Sequence, residues 1–138
     1  MEIGVSISPK TELIEELKDI DEEFDFVEMP IGEQERPIEE IEVQKVRKVL
    51  DEKWFDLIVH LPFGQPVVTQ VADFNEAEIS YLERILEFSE RLEARKAVLH
   101  PNIRYREDKD KVKEPFRSQL EKLNKISENK GIELCVEN

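Results

Sequence analysis

Glu28, His60, His100 and Glu137 carry the side chains best suited to chemistry in this 138-residue sequence, and His60 and His100 are its two histidines. Each falls at or beside the C-terminal end of a β-branched or apolar run: FDFVE, DLIVH, KAVLH and ELCVE. A neutral imidazole and a carboxylate are donors that zinc, manganese and iron accept. His60 and His100 are 40 positions apart and His100 and Glu137 are 37 apart. Such residues still converge on one ion when they sit on neighbouring strand ends. A single histidine at a strand end is ordinarily a hydrogen-bonded rim residue; two histidines and a glutamate on successive strands weigh against that. Three ligands hold one metal with a position left open, as a Lewis-acid or water-activating site requires. The one cysteine, Cys135, has no partner for an internal disulfide or a zinc ribbon. Inside a buried strand it reads as a small hydrophobe.

The elements that must position these groups follow from periodicity. Met1 to Ser8 reads as a strand, with Ser8 as a helix cap and Pro9 in the first helical turn. Leu13, Ile14, Leu17 and Ile20 make one face of a helix. A second strand spans Phe24 to Met29, stopped by Pro30, and Ile38, Ile41, Val46, Val49 and Leu50 mark a helix ending near Lys53. Trp54 and Phe55 precede the third strand, Asp56 to Leu61, and read as core. Asn75 and Glu78 resemble a capping box before Ile79, Leu82, Ile85, Leu86 and Leu92. Lys96 to His100 is the fourth strand. Phe116, Leu120, Leu123 and Ile126 mark the next helix, Asn129-Lys130-Gly131 its terminal turn, and Ile132 to Glu137 the fifth strand.

The βαβαβαβαβ order predicts a parallel sheet with right-handed crossovers. Mid-strand positions recur about every 32 residues, and eight such units would match the roughly 250 residues of a (β/α)8 barrel. The expected architecture is therefore β1 to β5 of a TIM barrel, one incomplete domain over residues 1–138. The alternative is an open, five-stranded doubly wound sheet. The turn after the first strand, SISPKT, contains no glycine, so a dinucleotide or phosphate loop is not supported.

Thirty-three acidic against 20 basic side chains give a formal charge of −13, which disfavours nucleic acid and anionic membrane. No stretch approaches the ~18 apolar residues of a membrane span, and Met1-Glu2-Ile3 lacks a basic signal-peptide start. The expectation is a soluble cytoplasmic protein. The uncharged loop from Leu61 to Ala72 is either a lid over the site or a small hairpin or partner contact around Val67, Val68 and Val71. Ile103 to Glu114 reads as a mixed, solvated loop in which Arg104 and Tyr105 are placed to reach a phosphorylated substrate.

His60 within VHLPF, His100 within LHPN and Glu137 within VEN resemble three successive strand-end motifs of the xylose isomerase-like TIM barrels, which include endonuclease IV and many sugar isomerases and epimerases. The segment ISYLERILEFSERLEARKAVLHP resembles that superfamily's third unit, and the resemblance covers the whole chain. It implies that His60, His100 and Glu137 are metal ligands for zinc or manganese, with Glu137 also the catalytic carboxylate. It implies that Glu28, in a VE dipeptide, lines the substrate pocket; Asn102 and Arg104, in the segment that follows His100, are the further candidate substrate contacts. Asn102 stands where the endonuclease branch usually has glycine, and ligands that the family draws from strands six to eight have no counterpart here. Three readings follow: a metal-dependent sugar or sugar-phosphate isomerase or epimerase; an abasic-site endonuclease; and a non-catalytic half-barrel completed by a second copy or by a separate C-terminal half.

Overall fold

Apolar alternation and helical periodicity resolve, in the computed structural model, into β1 (Gly4–Ser6), α1 (Leu13–Asp19), β2 (Phe26–Pro30), a 3-10 turn (Ile38–Glu40), α2 (Val43–Lys53), β3 (Asp56–His60), α3 (Ala72–Arg91), β4 (Lys96–Leu99), α4 (Lys109–Asn129) and β5 (Glu133–Val136). The structure describes residues 1–32, 35–103 and 108–137. All strand pairs are parallel and lie in the order β1-β2-β3-β4-β5. A doubly wound sheet reverses its strand order part-way across. This sheet never does, so that alternative is overturned in favour of the sequential winding of a barrel.

Burial alternates along the strands and shows which face the helices cover. Val27, Met29, Leu57, Val59, Ala97 and Leu99 are at most 1% exposed and join Leu17, Val46, Leu50, Leu82, Ile85, Leu86 and Leu123 in one core. Burying each of these side chains apart from Ala97 contributes roughly 1.5–3 kcal/mol. Between them along the strands lie Glu28, Ile58 and Val98, which are half-buried. The register pairs Glu28 with Ile58 and His60 with Val98, so these residues share the opposite face, the one a closed barrel turns inward. Cys135, paired with Val98, lies on that same face and is half-buried rather than buried.

Several local expectations are corrected. Ser8 does not cap a helix: its hydroxyl accepts from the Lys10 N–H, while α1 starts at Leu13 under Glu12, whose carboxylate accepts from the Glu15 N–H. Ile38 and Ile41 belong to a separate turn ahead of α2. Asn75 is not a cap, because α3 begins earlier, at Ala72; the Asn75 side chain turns back to bind both backbone groups of Thr69. Trp54 is not core: it takes the left-handed conformation that ends α2 and is 90% exposed, while Phe55 is buried as expected. The Leu61–Ala72 segment forms no hairpin, since Val67 and Val68 are buried and Val68 bridges to Ile103 beside β4. The charged loop after His100 is shorter than expected because α4 already starts at Lys109.

Candidate metal centre

The ends of β3, β4 and β5 bring the two histidines and Glu137 together. His60 is the last residue of β3 and 2% exposed, His100 follows β4 by one residue, and Glu137 follows β5 by one. The strand ladders continue past each end: the Ile31 N–H donates to His60 O, the Leu61 N–H to Val98 O and the Glu137 N–H to Leu99 O. These bonds fix the backbone from which each side chain projects. His60 Nδ1 lies 2.9 Å from Leu61 O. A carbonyl only accepts, so Nδ1 carries a proton, and Nε2 is the nitrogen that faces the cluster.

The His60 and His100 Nε2 atoms are 3.0 Å apart, and a Glu137 carboxylate oxygen lies 3.7 Å from the first and 3.3 Å from the second. One ligand atom from each residue falls in a cluster no wider than 4.8 Å. Donors that share one ion at about 2.0–2.2 Å are separated by roughly 3–3.5 Å, so the spacing fits a metal. The backbone carbonyl holding His60 Nδ1 is the kind of outer partner that fixes a ligand's tautomer and ring plane. Two imidazoles and one carboxylate are donors that divalent transition metals accept.

The other expected site residues are placed differently. Glu28 stands lower on the inward face, with the Ser6 hydroxyl 3.5 Å from its carboxylate, and is not one of the three clustered residues. The Asn102 amide donates to Phe63 O, so it is committed to the β3–α3 loop. Arg104 and Tyr105 lie outside the described residues.

Phe63 is the residue that the reading of the sequence missed. Its ring stacks on His60, with centroids 3.9 Å apart and planes 16° apart, and contacts His100 at 4.9 Å. The Phe63 N–H donates to the Glu35 carboxylate at 3.2 Å. An aromatic three positions after the strand-end histidine was visible in VHLPF; nothing in the sequence pointed to Glu35. A separate cleft of about 500 Å³ lies between Gln65, Pro66, Phe74, Glu78 and Tyr81, and burial there pushes the Glu78 carboxyl up to about 7.

Residues 14–138 match the xylose isomerase-like TIM barrel family. The chain belongs to that family. Solved structures agree on the fold of this xylose isomerase-like chain. A D-tagatose 3-epimerase-like protein superposes with a TM-score of 0.81 at 19% identity, covering 100% of this chain and 53% of its own. A D-psicose 3-epimerase crystallised with D-fructose gives 0.78 at 17% identity, covering 99% and 52%. A family 2 AP endonuclease from Brucella melitensis gives 0.73 at 15%, covering 99% and 55%. The xylose isomerase-like chain thus spans about half the length of these structures, which makes its open sheet a partial barrel. No curated protein matches it. No helix among the described residues is long and apolar enough to cross a membrane.

Proposed function

We propose that this chain carries the metal-binding part of a sugar or sugar-phosphate isomerase or epimerase site, with His60, His100 and Glu137 holding one divalent ion, zinc or manganese. The observation that carries the reading is the convergence of the three donor atoms from three consecutive strand ends. When bound, such an ion polarises a carbonyl or hydroxyl oxygen of the substrate and makes the adjacent C–H more acidic. His60, deeply buried with its Nδ1 proton held by Leu61 O, turns Nε2 toward the ion. Glu137, with its side chain 59% exposed, is the group with room to take a proton from a substrate carbon and return it. Glu28, on the same inward face, lines the space below. The −13 charge suits a small polar substrate better than a phosphate backbone. The chain spans about half of its structural neighbours, and a site of this kind is completed by the remaining strands of the barrel.

The test is metal content after dialysis against trace zinc and manganese, for the parent and for His60→Ala. Near-stoichiometric metal in the parent and its loss in the variant support the reading; equal content in both rejects it. Ketohexoses and their phosphates are then assayed for epimerisation, with size-exclusion chromatography reporting the oligomer.

The pair of histidines and the AP endonuclease neighbour favour a second reading, cleavage at abasic sites. An abasic-site duplex left intact by the zinc-loaded protein at low salt removes it.

A further inference from the structure

We propose that Phe63 is a positioning residue for the candidate centre, its ring bracing both imidazoles, its backbone N–H held by Glu35 and its carbonyl by Asn102. The inference rests on His60 and His100 being metal ligands. Three loops meet at this one residue. From the loop after β2, Glu35 accepts the Phe63 N–H at 3.2 Å; from the loop after β4, the Asn102 amide donates to the Phe63 carbonyl. Phe63 itself lies in the loop after β3, so a free phenyl there would sample several rotamers. Clamped at both backbone groups, it instead lies flat on His60 and tilted against His100, and the two imidazoles are 4.8 Å apart, making a cluster of three rings.

Two features show that the clamp costs the fold something. Gly32 has a φ of +151°, and a Cβ there would lie 2.7 Å from Glu35 Oε2 and 2.7 Å from Pro62 Cγ, so only glycine leaves room for the Glu35 carboxylate. That same Oε2 is buried with no hydrogen-bond partner among the described residues. A buried oxygen left unpaired is a cost that a site accepts and a purely structural turn ordinarily does not. Phe63 is 42% exposed, so it adds little to the core that would explain this expense. Bracing does explain it: neither ring nitrogen arrangement tolerates much swing if two Nε2 atoms are to stay within reach of one ion.

The experiment compares the parent, Phe63→Leu, Glu35→Gln, Glu35→Ala and the double variant Glu35→Ala/Phe63→Leu, with two readouts. The first is the NMR shifts of the His60 and His100 ring protons in metal-free protein, which report the ring current of a stacked phenyl. The second is cobalt affinity followed by visible absorption. Expected are displaced histidine ring shifts in both Phe63→Leu and Glu35→Ala, a 10- to 100-fold loss of cobalt affinity in each, and retention of both properties in Glu35→Gln, whose amide oxygen still accepts the Phe63 N–H. The double variant should bind cobalt no more weakly than Phe63→Leu alone, because both act through one ring. Unchanged histidine shifts in a folded Phe63→Leu overturn the proposal, as does an additive loss in the double variant. A parent that binds no cobalt while Phe63→Leu still displaces the histidine shifts upholds the brace and overturns the metal reading instead.

Discussion

Asn75 closes both backbone groups of Thr69: its Oδ1 accepts from the Thr69 N–H at 2.7 Å and its Nδ2 donates to the Thr69 carbonyl at 2.9 Å. Gln119 of α4 in turn donates to the Asn75 carbonyl at 2.8 Å. A helical side chain thereby fastens the end of the β3–α3 loop, and α4 fastens the helix. Thr69 is 5% exposed, so Asn75→Ala leaves a buried N–H and a buried C=O without partners. The expected cost is about 2 kcal/mol, measured by urea unfolding. A loss below about 0.5 kcal/mol, within the ordinary scatter of surface substitutions, would show that water replaces the side chain.

Glu78 makes stability depend on pH. Burial in its cleft raises its carboxyl to about 7, so the folded protein keeps a proton that the unfolded chain gives up near the usual glutamate value of about 4.3. Between those two values the native state binds more protons than the unfolded state, and stability falls as pH rises; above about 7 the penalty is complete. Glu78→Gln lacks this slope. Melting curves from pH 4 to pH 8 should show the variant matching the parent at the acid end and exceeding it at the alkaline end.

Metal should stabilise the fold through His60 and His100. At free zinc one hundred times its dissociation constant, a native-only site contributes about 2.7 kcal/mol. Thermal melts of the parent with and without chelator should differ accordingly, and those of His60→Ala should coincide. Coinciding melts for the parent would place the three side chains together without an ion to hold.

Trp54 ends α2 in the left-handed conformation, with the Phe55 N–H bonded to Leu50 O at 3.0 Å. That is the geometry in which glycine is favoured, because a side chain there strains the backbone by about 1–2 kcal/mol. The indole is 90% exposed and contributes little burial in return. Trp54→Gly should therefore raise stability by about 0.5–1 kcal/mol once the greater freedom of glycine in the unfolded chain is subtracted. Denaturant midpoints of the two proteins decide it.

How much of this was legible in the sequence differs by kind of feature. The order of elements was, because β-branched runs and helical spacing are properties of each segment by itself. The winding was half legible: a repeat of constant length suggested a barrel, but only the pairing of β1 through β5 in sequence excluded the doubly wound sheet. Asn75 misled because Asn-x-x-Glu before an apolar run is a local signature, while its bond to Thr69 is a tertiary one. Trp54 misled because an aromatic beside a strand usually packs inward, and its backbone conformation turned it outward. The convergence of His60, His100 and Glu137 was legible because strand ends in such folds share one rim. Glu35 was not, since its role passes through the backbone N–H of Phe63, which leaves no mark on residue type.

The uninterrupted strand order also bears on how the molecule is made. Each strand pairs with the one synthesised just before it, across a single intervening helix, so no later segment has to slot between two earlier ones. A ribosome delivering roughly 5–20 residues per second would release one complete unit every few seconds. Each unit has a finished edge waiting to receive it, and the growing border advances with the nascent chain while the border at β1 stays where it began.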